Sequence, residues 1–170
     1  VSADGAATWQ LRGAHDHFGG FYFSLYVDPT NPARLFLVSR PGGTSRSLDG
    51  GQTWIALQGG LPADERGEVF CMSLALDPTD PNVVYAGTGG WVGNGHGVYK
   101  SVDGGETWSP ANRGMLDYRI PSVVVSPHQS QTVYAGSQEG ELFKSTDGGA
   151  SWTKLTDRLP AQGRSYPGIG

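Results

Sequence analysis

One eight-residue pattern occurs four times in this chain, and it dictates the architecture before any other feature. It reads Ser-x-Asp-Gly-x-x-Thr/Ser-Trp, at Ser2–Trp9, Ser47–Trp54, Ser101–Trp108 and Ser145–Trp152. The tryptophans Trp9, Trp54, Trp108 and Trp152 fall 45, 54 and 44 residues apart. Self-similarity at that period marks a repeat fold, in which each unit buries an apolar face against its neighbours.

Between the patterns lie four strand-like segments per period. The second period is the clearest: 69–76, 83–88, 97–101 and a segment opening at Thr107–Trp108. The first runs 21–27, 34–39, 44–47 and 53–57; the third runs 122–126, 132–137, 142–145 and 151–155. β-branched and aromatic residues fill these segments, while Gly, Pro, Asp and Asn bound them. Low charge (16% Asp, Glu, Lys and Arg) with 27 Gly and 11 Pro also favours short strands and turns over helices. The Asp of each pattern can accept bonds from amides a few residues on, and the following Gly supplies the positive φ of a tight turn. Asp4, Asp49, Asp103 and Asp147, with the four tryptophans, therefore read as structural.

These segments resemble the Asp-box (bacterial neuraminidase, BNR) repeats carried by β-propellers. Such propellers include sialidases, xyloglucan-hydrolysing glycoside hydrolases, sortilin-type receptors and the photosystem II assembly factor. The resemblance implies an all-β partial propeller of about three four-stranded antiparallel blades with a stub at each end. It also implies that the boxes are structural and peripheral. The expected blades span about 18–58, 67–112 and 118–157, with partial-blade strands at 1–13 and 164–170, in a single propeller segment over 1–170. Propellers close with four to eight blades. The remaining blades are therefore expected from elsewhere in a longer protein or from another copy of the chain. The first residue, Val1, follows no secretory leader pattern and points to a processed or trimmed start.

Antiparallel meanders place the boxes and the Asp-Pro-Thr turns at one end, and the B–C and D–A loops at the other. The second period is longer on that second face, at Gln58–Glu68 and Gly89–Gly97. Insertions gathered on one face mark a binding face. Its candidate residues are His15, Asp16, His17, Asp64, Glu65, Trp91, Asn94, His96, Asp117, Tyr118 and Arg119. Trp91 among glycines suits stacking on a sugar or an aromatic partner. His15 and His17 lack a clear third ligand, so neither metal nor cofactor is expected. Asp16, Asp64, Glu65 and Asp117 share the face as candidate carboxylates, since glycoside hydrolysis needs a converging pair.

Tyr118-Arg-Ile-Pro121 resembles the sialidase motif whose Arg grips a substrate carboxylate, but three boxes precede it here. The likeness to xyloglucan hydrolases places a catalytic Asp just after strand B of an early blade. The matching positions, Arg40, Gly89 and Gln138, are not carboxylates, though Glu139 is adjacent. No catalytic residue is assigned on this basis. The expectation is a binding or assembly module outside the cytoplasm, taking a glycan or protein. The alternatives are a glycoside hydrolase fragment with its chemistry in other blades, and a self-associating structural repeat. A net charge of −4 gives no electrostatic case for nucleic acid, and no apolar run is long enough to span a bilayer. The single cysteine, Cys71, reads as a buried small hydrophobe.

Overall fold

The structure, a computed structural model, describes residues 2, 5–8, 21–40, 43–57, 59–63, 65, 67–89, 95–115 and 118–155. The expected C-terminal stub lies outside these residues, and of the N-terminal one only Ser2 and residues 5–8 are described. Within them are three four-stranded antiparallel sheets, each a meander in chain order. Blade one comprises β1 (Phe21–Val27), β2 (Leu35–Arg40), β3 (Gly43–Ser47) and β4 (Ile55–Leu57). Blade two comprises β5 (Cys71–Leu76), β6 (Val84–Thr88), β7 (Val98–Ser101) and β8 (Ser109–Pro110). Blade three comprises β9 (Ser122–Ser126), β10 (Gln129–Gly136), β11 (Leu142–Ser145) and β12 (Thr153–Lys154).

The first three strands of each blade lie close to their expected positions, while the fourth strands are shorter. The cause is local. In blade two the Asp103 carboxylate accepts from the Thr107 amide at 2.9 Å and from the Thr107 hydroxyl, so the backbone there bonds to the box rather than to β7. β8 starts only after Trp108.

The register is the same in all three blades. Phe36 pairs Arg46, Tyr85 pairs Lys100 and Tyr134 pairs Lys144. An aromatic on the second strand therefore stands beside a cation on the third. Successive side chains on a strand alternate faces, so this pair and its neighbours divide each sheet into two interfaces.

The core lies between blades. Phe36, Val38 and Leu57 of blade one meet Cys71, Leu74, Val84 and Trp108 of blade two. Tyr85 and Val98, on the opposite face of blade two, meet Val123, Val133, Phe143 and Trp152 of blade three. β6 is buried along its whole length because it is covered on both faces. Cys71 is buried, and desolvation pushes its thiol up to about 12, as suits a packing residue. The A–B turns and the boxes share one end as expected: the Gly50 and Gly104 amides donate to the Ala33 and Asn82 carbonyls of those turns, and the Gly148 amide to the Gln131 carbonyl near the start of β10.

Candidate functional site

Each described box is a closed hydrogen-bond circuit. Ser101 Oγ donates to Asp103 Oδ1 at 2.7 Å and accepts from the Gly105 amide at 2.7 Å. The boxes at Ser47 and Ser145 repeat these bonds. Hydrogen bonds from Thr107 and Ser101 pull the Asp103 carboxyl down to about 2, and those from Ser151 and Ser145 do the same for Asp147. Asp49 lies lower still, held mainly by Thr53 and Ser47. These bonds occupy the acceptor sites of the carboxylate and hold the turn of each box closed. Asp4 and Trp9 lie outside the described residues.

The boxes also clasp neighbouring blades, which the sequence did not indicate. Arg46 Nη1 of blade one donates to the Gly104 carbonyl of the next box at 2.8 Å. Lys100 Nζ and the Tyr85 hydroxyl of blade two both donate to the Gly148 carbonyl, at 2.9 and 3.0 Å. The segments after the fourth strands of blades one and two run beneath the next tryptophan. The Trp108 amide donates to Gly59 O at 2.7 Å, and the Trp152 amide to Arg113 O at 3.0 Å. Leu61 and Met115 follow in the core. At the opening of the Gln58–Glu68 extension, Gly59 and Leu61 thus take part in packing against blade two. Its sequence signal is Gly-Leu/Met, six and seven residues after Trp54 and Trp108.

The opposite end carries a compact polar site at Tyr118–Ile120. This segment bridges two blades through its backbone. The Ile120 amide donates to Thr88 O at 2.9 Å, and the Gly97 amide donates to Tyr118 O at 3.0 Å, both on blade two. The Gln138 amide of blade three donates to Arg119 O at 2.9 Å. Ile120 is fully buried, and Tyr118 packs tilted on Phe143 with ring centroids 5.0 Å apart. The Arg119 side chain is thereby fixed at the mouth of the blade-two/blade-three interface, where its Nε meets Glu139 Oε1 at 2.9 Å.

Both partners are partly exposed, at 27% for Arg119 and 34% for Glu139. Desolvation alone would raise the Glu139 carboxyl. The hydrogen bond from Arg119, with lesser contributions from the Glu139 amide, Ser137 and the Arg119 charge, outweighs it and leaves the group below its ordinary range. An ionised carboxylate beside an arginine presents acceptors and donors together. It is the wrong state for a general acid, which needs a raised pKa.

Of the other candidates on this face, His96 and Glu65 are exposed. The His96 carbonyl accepts from Asn112 Nδ2 at 2.8 Å, which ties its loop to the chain after β8. His15, Asp16, His17, Asp64, Trp91, Asn94 and Asp117 lie outside the described residues. Among the described residues no three His, Cys, Asp or Glu side chains gather as a metal site. Nor, among those residues, is any helix long and apolar enough to cross a membrane.

Residues 99–110, from β7 through the box to β8, match the BNR/Asp-box repeat family. Xyloglucanase Xgh74A of Acetivibrio thermocellus is 28% identical over 152 residues, covering 81% of this chain but 18% of its own length. The photosystem II assembly lipoprotein Ycf48 of a Synechococcus species is 27% identical over 141 residues, covering 81% of this chain and 38% of the relative. The crystal structure of an ancestral GH74 enzyme superposes with a TM-score of 0.66 at 20% identity, over 80% of this chain and 18% of that one. The chain thus spans less than a fifth of the xyloglucanase it matches. These three sheets are Asp-box (BNR) repeats folded as β-propeller blades, similar to the blades of xyloglucanases and of Ycf48.

Proposed function

We propose that these blades are the polysaccharide-binding part of a xyloglucanase-type propeller, and that they hold a xyloglucan-like chain along the loop face around Arg119 and Glu139. The observation that carries this reading is the ion pair itself. It is fixed by backbone bonds to two blades, partly open to solvent, and offers charge-assisted hydrogen bonds to sugar hydroxyls. Its chemistry is unsuited to proton donation, and the positions after the second strands carry Arg40, Gly89 and Gln138. In this reading hydrolysis draws partly on carboxylates of other blades of the ring. A polysaccharide ligand of this class places the protein outside the cytoplasm. A protein ligand on the same face is the second reading, supported by the likeness to Ycf48, whose name describes an assembly factor.

Affinity electrophoresis of the chain in gels containing soluble xyloglucan tests the proposal. Retardation that is lost in Arg119→Ala and weakened in Glu139→Gln is the expected result. Unretarded migration of the folded protein would remove the polysaccharide reading. Release of reducing ends by the chain itself would instead place catalysis within these blades.

A further inference from the structure

The two inter-blade contacts are built from the same parts, and the second departs from the first at two positions that face one groove. In the first contact Arg46 of blade one donates Nη1 to the Gly104 carbonyl at 2.8 Å and Nη2 to Glu106 Oε1 at 3.1 Å. The buried cation thus holds a carbonyl and a carboxylate of the next box. In the second contact Lys100 takes the place of Arg46 and donates to the Gly148 carbonyl at 2.9 Å. Ala150 stands where the preceding box has Glu106, so the carboxylate is missing.

A groove of about 360 Å³ opens at that place, between β8 and the box of blade three. Lys100, Arg113 and Ala150 line it, and Val102 and Pro110 give it an apolar rim. Arg113 is the second departure. It holds the position of Gly59, since the carbonyl of each accepts from the amide of the next tryptophan. Relative to its counterpart, this groove has therefore lost an acidic side chain and gained a basic one. Among the described residues neither Lys100 nor Arg113 pairs with a carboxylate. Asp147 also borders the groove, but Ser145 and Ser151 occupy its oxygens. Asp103 has the same place in the first contact, where Glu106 is nonetheless accommodated. The walls of the groove are adjacent blades already packed together, so a further blade of the ring does not enter between them.

We propose that this groove binds an acidic peptide segment of a partner protein, with a glutamate carboxylate seated on Lys100 and Arg113 as Glu106 is seated on Arg46. The chain itself supplies the precedent for the occupant, a polypeptide glutamate on the third-strand cation. Two cations, one of them partly buried, favour an ionised carboxylate over a neutral polar group through charge-assisted bonds. Val102, 68% exposed, and the exposed Pro110 offer contact to apolar residues beside the glutamate. Nothing in this depends on the polysaccharide reading, since the groove lies beside an Asp box and not at the loop end.

Fluorescence anisotropy of a labelled peptide of alternating Glu and Val, titrated with the chain at low salt, tests the proposal. The same peptide with Gln in place of Glu is the control. The Glu peptide should bind about tenfold more tightly than the control, and Arg113→Ala should weaken it about fivefold. Ala150→Glu, which supplies the missing carboxylate from the chain itself, should abolish binding. Arg119→Ala, at the loop face, should leave it unchanged. Arg113 and Ala150 are exposed, and circular dichroism would verify that the variants fold. Equal binding of the two peptides, binding that survives Ala150→Glu, or no binding at millimolar chain would overturn the proposal. Tighter binding of an oligouronate than of the Glu peptide would also overturn it, by assigning the groove to an acidic sugar.

Discussion

The Tyr85 hydroxyl donates to the Gly148 carbonyl at 3.0 Å across 63 residues of sequence, and so joins the middle of blade two to the box of blade three. Lys100 shares that acceptor at 2.9 Å and lies 5.2 Å from the Tyr85 ring centre. Burial first, and then the charges of Asp77 and Asp147, raise the Tyr85 phenol to about 12, so it remains a donor across the working pH range. Because either donor can satisfy the carbonyl, Tyr85→Phe and Lys100→Ala should each cost about 0.5–1.5 kcal/mol. The double variant leaves the carbonyl unsatisfied and should lose more than the sum of the two, by about 0.5–1 kcal/mol. A double-mutant cycle in urea measures this; strict additivity would mean the two contacts act independently.

The boxes predict how stability depends on acid. The folded carboxyls of Asp103 and Asp147 sit near 2, below the ordinary value of 3.8. Their contribution is fully present above the ordinary value and is lost as pH falls through the folded value. The urea midpoint should therefore hold steady down to about pH 5 and decline between about pH 4 and 2. Asp103→Asn should flatten that decline, because one titrating group is gone. A decline with unchanged slope in the variant would assign acid sensitivity to other groups.

Two tryptophans that look identical in sequence should respond differently to the same substitution. Trp152 Nε1 donates to Ala111 O at 2.7 Å, across the interface with blade two. Trp108 Nε1 is buried without a hydrogen-bond partner among the described residues. Replacing either by Phe removes apolar contact, but only Trp152→Phe also strands a carbonyl. Trp152→Phe should be the costlier by about 1–3 kcal/mol, measured by urea denaturation. Equal losses would show that ring packing alone decides the cost.

Much of this was legible in the residues. The Asp-box spacing and the alternation of β-branched residues located the twelve strands, because turn chemistry and period-two patterning are local properties. The use of Arg46 and Lys100 as clasps was not legible. A cation on a third strand reads as surface until the next box is seen to cover it. The Gly59–Leu61 and Arg113–Met115 segments were hidden for a similar reason: Gly59 and Arg113 accept from the amides of tryptophans 49 and 39 residues further on. At the loop face the sequence singled out Arg119 and noted Glu139, but their contact depends on blade geometry that no spacing rule supplies.

The motif Val-Tyr-Ala-Gly occurs at 84–87 and 133–136 (as Val-Tyr-Ala-Gly in both), yet its glycines are predicted to differ in their tolerance of a methyl group. A Cβ on Gly87 would lie 2.3 Å from Ile120 O and 2.5 Å from Ser73 Oγ, which itself donates to that carbonyl at 3.3 Å. It could be accommodated only by pushing the Tyr118–Ile120 bridge away from blade two. A Cβ on Gly136 would meet nothing nearer than Ser122 Cβ at 4.0 Å. Val38 stands at the matching position of blade one and is buried without difficulty, so the strand itself does not demand glycine. Gly87→Ala should therefore destabilise by about 1–3 kcal/mol, the usual cost of overpacking. It should also shift Arg119 and weaken any ligand held there. Gly136→Ala should be neutral or stabilising by up to about 1 kcal/mol, because alanine restricts the unfolded chain. Urea denaturation of the two variants side by side checks the pair. Equal destabilisation would mean that the cost lies in the strand conformation rather than in the close approach of Ile120 to blade two.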